Sequence, residues 1–259
     1  MDPSLYLDRD TWVHRLDPRT KIFLLVGMFA LPFVFLNPLY ELAVLALVLF
    51  FGYLAQSLAN LRRIWFILLT ILIVTTILWS LVGSGRTPLF LFVEREAVLY
   101  GFSIALRIVI TVIAGIIFLS TTRNEEVGIG LVRLGIPYRF AFAVSTALRL
   151  VPTVVATGLT IGQAQRSRGL DLESGNIIRR IRNHLPLLVP VFVTTVRSTN
   201  VFSMALESKG FGARHRRTYY LRSAMGGRDA LVIGCFVLLL AACIMLRLAG
   251  YGGLEGFSR

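Results

Sequence analysis

The stretch from Ile64 to Val82, IWFILLTILIVTTILWSLV, contains no charged residue, no proline and no glycine. A bilayer core needs about 20 apolar residues in helical form, and a helix that is apolar on every side has to be buried all round. That requirement excludes most small soluble folds. Val98 to Thr121 and Ala230 to Leu248 meet the same test. Two shorter runs, Ile22 to Leu36 and Leu39 to Leu54, are joined by Asn37 and Pro38 and read as a tight helical hairpin. Composition agrees: 56% of the 259 residues are hydrophobic and the mean hydropathy is +0.73, above the range of ordinary soluble domains. The chain reads as an all-α integral membrane protein. The mixed-charge segment MDPSLYLDRDTWVHRLDPRTK precedes the first apolar run and has no cleavage pattern, so the N-terminus is expected to remain, on the cytoplasmic side.

Two further stretches, Ala141 to Gln165 and Leu185 to Leu206, are long enough to span but contain Arg149 and Pro152, and Pro186, Pro190 and Arg197. If both crossed the membrane, the intervening Arg166, Arg168, Arg179, Arg180 and Arg182 would lie outside, against the tendency of basic loops to stay in the cytoplasm. Residues 123–228 carry 16 basic side chains against 5 acidic ones, most of the net charge of +13. Keeping that block inside gives about five transmembrane helices plus two long cytoplasmic helices. The expected division is residues 1–122 with four spans, 123–228 as the cytoplasmic helices, and 229–259 as a last span and tail. The long helices are too apolar to stand alone in water. Gly158 and Gly162, four apart, offer a place where the two cross closely.

Each long helix ends on the same spelling, AQRSRGL at 164–170 and ALESKGF at 205–211. Glycine after a last helical turn is the usual helix stop, and a basic residue beside it suits the helix dipole. A small residue, a cation and a glycine also make a tip narrow enough to enter a groove on a partner. The two uses are compatible.

Together with HRLDPRTK near the start and LSTTRNEEVGIGLVRLGIPYRFAFAVSTALRLVPTVV, these hooks resemble the transmembrane T component of energy-coupling factor (ECF) transporters, from about residue 14 to the final span. The resemblance implies a noncatalytic scaffold in a prokaryotic plasma membrane, whose coupling helices dock into grooves on two ABC-type ATPases, a homo- or heterodimer. It also implies a separate small substrate-binding membrane subunit that selects a vitamin or a transition-metal ion. ATP would bind only to the partner ATPases. The tips would be Ser167, Arg168 and Gly169, and Ser208, Lys209 and Gly210. Serine stands here where the family has alanine, and Lys209 replaces the forked guanidinium of arginine by a point charge.

Arg107 lies within the fourth apolar run, where an ionisable group is either functional or paired, and Glu41 is the acidic candidate partner. Thr122 and Glu125 have capping-box spacing, and Asp17 and Pro18 read as the N-cap and first residue of a helix. Cys235 and Cys243 sit too far apart on one helix for a disulfide. His14, His184 and His215 show no metal-ligand spacing, no phosphate-binding loop occurs, and no side chains are set out for catalysis. The basic cluster from Gly212 to Arg222 is expected to meet anionic membrane lipids rather than nucleic acid. A self-contained secondary transporter or channel, and a lipid-modifying membrane enzyme, are the alternatives; both call for more polar groups in or near the membrane than these runs contain.

Overall fold

The computed structural model describes residues 11–82, 88–90, 93–170, 176–213 and 225–252. Most of the basic cluster at Gly212 to Arg222 therefore lies outside the described residues. Contacts divide the chain into two units, one of residues 1–141 with 223–259 and one of residues 142–222.

The first unit is built around a single helix. Its elements are α1 (Pro18–Ala30) with a 3₁₀ turn (Leu31–Phe33), α2 (Pro38–Leu54), α3 (Leu58–Val82), a short antiparallel hairpin of β1 (Pro88–Phe90) and β2 (Val93–Glu94), α4 (Arg95–Thr121), α5 (Asn124–Arg133) and α8 (Gly227–Leu248). Helix α4 touches α1, α2 and α3. Its buried positions Ala105, Leu106, Val109, Ile110, Ile113, Ala114 and Ile117 recur three and four apart and supply much of the core. Small residues set the close approaches: a β-carbon at Gly101 would lie 2.8 Å from Trp79 Cβ on α3, and one at Gly27 would run into the Phe236 ring of α8. Helix α3 buries only Leu68 and Ser80 and turns Trp65, Phe66, Val74, Ile77 and Leu81 outward. A soluble surface rarely carries so large an apolar face, and a bilayer would cover it.

The second unit is α6 (Tyr138–Ser167), from residue 142 on, and α7 (Ile177–Ser208). Three prolines sit inside these helices without ending them. They run antiparallel: the Phe142 and Phe211 rings are 4.5 Å apart, position 158 faces Val191 and position 162 faces Leu187. Those glycines do not bring the backbones together. A β-carbon there would sit 4.0 Å from Val191 Cγ2 and 3.6 Å from Leu187 Cδ1, an ordinary contact that alanine would also make.

Among the described residues, five helices are long and apolar enough to cross a membrane, namely α3, α4, α6, most of α7 (Ile181–Ser208) and α8. The number agrees with the sequence reading, but the set differs. The 13 residues of α1 and 17 of α2 rise about 20 and 26 Å, short of a core of about 30 Å. Pro32 and the 3₁₀ turn end α1 before the apolar run does.

Candidate functional site

Local chemistry shapes the two hooks identically. Gly169 has φ +86° and Gly210 φ +72°, the left-handed region that glycine enters without strain. The Gly169 amide donates to the Arg166 carbonyl (2.9 Å) and Leu170 to Gln165 (3.0 Å); Gly210 donates to Glu207 (2.8 Å) and Phe211 to Leu206 (2.9 Å). These paired bonds are the Schellman stop.

The stop alone does not mark a docking tip. Helices α2, α5 and α8 end with the same bond pattern at Gln56, Gly135 and Gly250. What distinguishes the hooks is the residue before the stop: Ala55, Leu134 and Ala249 in those three helices, but Arg168 and Lys209 in the hooks. Both cations are exposed. The serines fold back, Ser167 Oγ donating to the Gln163 carbonyl (3.1 Å) and Ser208 Oγ to Ala205 (2.9 Å). Their hydroxyls are taken up by the helix, so each tip presents the outline of an alanine followed by a cation.

The hooks lie at opposite ends of the helical pair. Phe211, next to one hook, packs on Phe142 at the start of α6, whereas the other hook closes α6 after Ser167. Twenty-five residues of helix separate Phe142 from Ser167, about 38 Å. Between them runs a small cleft of about 60 Å³ lined by Thr153, Thr157, Thr194, Thr195, Ser198 and Thr199 among apolar neighbours. Thr157, Thr195 and Thr199 donate to carbonyls of their own helices.

The intramembrane arginine has a different setting. Arg107 Nη2 donates to Glu41 Oε1 (3.1 Å) and to the Phe35 carbonyl (3.0 Å), with the guanidinium 5.0 Å from the Phe33 ring centroid. Ser103 Oγ, one turn earlier on α4, donates to the Leu36 carbonyl (2.9 Å), and the amides of Leu36 and Asn37 donate to Gly252 O. Between α1 and α2 the chain has left helical geometry, and α4 supplies partners for the carbonyls that this frees. The ion pair thus holds a turn.

Two polar centres escaped sequence reasoning. Lys21, 3% exposed, donates to the His14 carbonyl (2.9 Å), the Thr121 carbonyl (2.9 Å) and Glu126 Oε2 (2.8 Å). All three ammonium protons therefore have acceptors, and α1, the end of α4 and α5 are tied at one point. Asp229 accepts from the Asp17 amide (2.8 Å) and the Gly226 amide (2.9 Å), capping α8 while gripping the start of α1. Asp17 caps α1 by accepting from the Arg19 amide (2.9 Å), with Pro18 as its first residue. The Thr122–Glu125 capping box does not form: Thr122 is the C-cap of α4, Arg123 takes the N-cap position of α5, and Glu126 turns to Lys21. The charges at every second position of HRLDPRTK, Arg15 to Lys21, were a signal for this junction, but the partners of Lys21 and Asp17 on α4, α5 and α8 lie 100 to 212 residues away.

A family model described as CbiQ, cobalt transport protein, matches residues 9–220. Curated relatives named energy-coupling factor transporter transmembrane protein EcfT align along nearly their whole length. The Clostridium kluyveri protein is 30% identical over 94% of this chain and 95% of its own. The Staphylococcus aureus protein is 30% identical over 95% and 96%, and the Bacillus subtilis protein 29% over 93% and 96%.

Proposed function

This chain belongs to the cobalt transport protein family and is a multi-pass membrane component of the ECF transporter type, and on that premise we propose that its two hooks dock into two ABC-type ATPase subunits. One observation carries the reading: two geometrically identical, exposed helix ends, each with a cation at the cap where three other helices have none. ATP binds to the ATPases and not to this chain, which is a noncatalytic scaffold. A small substrate-binding membrane subunit, selecting a vitamin or a transition-metal ion, completes the importer.

The separation of the hooks constrains how the helical pair lies. If α6 and α7 crossed the bilayer, hooks at opposite ends of an antiparallel pair would emerge on opposite faces. ATPases occupy one face. The pair therefore lies along the cytoplasmic side, consistent with the basic block of residues 123–228, although its length and composition would also permit a span. Its outward apolar side chains, Val151, Val155 and Leu159 on α6 and Leu188, Phe192 and Val196 on α7, then meet the membrane underside and the substrate-binding subunit. ATP-driven closure of the ATPases moves the hooks with their grooves, and the pair transmits that displacement. A partner can shift such an equilibrium only through different affinities for its two states. Charge-assisted bonds at Arg168 and Lys209 provide the grip. The alternative of a self-contained transporter loses its main candidate group, because Arg107 and Glu41 hold a turn.

Replacing Arg168→Glu together with Lys209→Glu tests the reading. The double variant is expected to fold and reach the membrane but to lose copurification of the ATPases and uptake. Normal copurification would overturn the mechanism.

A further inference from the structure

The side of α7 turned toward α6 carries Val191, Thr194, Thr195 and Ser198. Next to it, Phe192, Val193, Val196, Arg197 and Asn200 line a second cleft, of about 280 Å³. Positions one, four, five and eight apart fall on one stripe of a helix. All five residues are exposed, and the side chains of Arg197 and Asn200 have no bonded partner among the described residues. The stripe is polar at one end only. Arg197 and Asn200, one turn apart, present a guanidinium and an amide, whereas Phe192, Val193 and Val196 are apolar, and Leu185, Leu188 and Val189 continue that apolar surface upstream.

We propose that this cleft holds one anionic phospholipid, with its phosphate on Arg197 and Asn200 and its glycerol and upper acyl chain on Phe192, Val193 and Val196. The inference rests on the reading that the helical pair lies along the cytoplasmic side, and it gives one stretch of α7 a ligand there. Within Ile181–Ser208, Arg197 is about 24 Å from the first residue and about 16 Å from the last by helical rise. In a crossing helix that is the middle of the hydrocarbon, where an ionised group is costly. On a helix lying at the membrane surface the same side chain is level with the headgroups. A guanidinium can pair with two phosphate oxygens at once, and the neighbouring amide adds a donor. An acidic groove on a protein would pair the cation, but a ligand with an anionic head and a hydrocarbon tail accounts for both ends of the stripe. The surplus of basic over acidic side chains in residues 123–228 favours an anionic headgroup over a zwitterionic one.

A photo-crosslinking phenylalanine analogue at position 192 reports the occupant. The full chain, purified with its copurifying partners, is placed in vesicles of equimolar phosphatidylglycerol and phosphatidylcholine, irradiated, and the adducts are weighed by mass spectrometry. The expected product is enriched in phosphatidylglycerol over the vesicle composition. Arg197→Gln should lower that enrichment about five-fold, the scale of a single near-surface cation, and Asn200→Leu about three-fold, the scale of one hydrogen bond. Arg182→Gln removes the same charge about 22 Å along the helix and should leave the ratio unchanged. Adducts in the bulk lipid ratio, an equal effect of Arg182→Gln and Arg197→Gln, or a polypeptide adduct in place of lipid would each overturn the site while leaving the docking reading intact. The orientation is read separately from a cysteine at Asn176, exposed at the start of α7. No labelling by an impermeant maleimide outside intact cells, above that of the parent chain, is expected. Labelling there would overturn the cytoplasmic placement and the lipid site together.

Discussion

Helix α4 buries twelve of its 27 residues, whereas α7, the longest helix at 32 residues, buries none among those described. The same contrast runs through the polar groups. In the first unit Lys21, Glu41 and Asp229 are buried, each bonded to a named partner across the chain. In the second unit Arg149, Arg168, Arg182, Arg197, Glu207 and Lys209 are exposed. Buried polar groups have to be satisfied from within the fold, while exposed ones remain available to a partner. One unit is organised to hold its shape, and the other to be held.

The sharpest attack on that contrast is at Arg107. Truncation to alanine would leave the Glu41 carboxylate, fully buried, without its counter-charge, at a cost of about 3–5 kcal/mol. Thermal unfolding of the detergent-purified chain is the measurement, and a marked fall in the midpoint is expected. Replacing both partners by methionine should recover most of the loss, because no charge is then stranded. Uptake retained by the double variant would establish Arg107 as a holder of the α1–α2 turn. An Arg107→Ala variant as stable as the parent would break the contrast at its strongest point.

Lys21 and Lys209 compare the two units with one chemistry. Lys21→Met strands the carbonyls of His14 and Thr121 and the Glu126 carboxylate, and about 3 kcal/mol of stability should be lost. Lys209→Met touches no internal partner among the described residues and should change stability by no more than about 0.5 kcal/mol, while weakening ATPase copurification. If both substitutions shifted the unfolding midpoint alike, the second unit would be more internally organised than its exposure suggests.

Features settled within a few residues were legible in the sequence. Asp17 and Pro18 start α1 as their spacing implies, and the hooks take the glycine stop, because caps are local hydrogen-bond chemistry. Thr122 misled for an equally physical reason. It has capping chemistry, but α4 reaches it first, leaving it extended at φ −121° as that helix's last cap. The early end of α1 was hidden because the apolar run continues past Pro32, and the partners that take up the carbonyls of Phe35 and Leu36 where the helix has ended, Arg107 and Ser103, lie some seventy residues on. Lys21 and Glu126 are 105 residues apart. A single sequence lists both charges without pairing them. Gly158 and Gly162 carried helix-packing spacing, yet spacing fixes which face a glycine is on and not how near the neighbour comes.

The finest test concerns the hydroxyls at the tips. Ser167 and Ser208 each donate to a carbonyl of their own helix, so substitution by alanine removes a bond that satisfies a spare carbonyl lone pair near a solvated helix end. Water replaces it, and helix propensity favours alanine by a few tenths of a kcal/mol. The two effects oppose, and stability should move by less than about 0.5 kcal/mol. The docking reading makes the same forecast for binding: if the groove recognises the cation and the turn of backbone, Ser208→Ala leaves ATPase copurification within about two-fold of the parent, since less than 0.5 kcal/mol is at stake. A larger loss would mean that the hydroxyl leaves its helix on docking and donates to the groove. The second unit would then rearrange at its tips when held, and the rigid hook seen here would be only its unbound form.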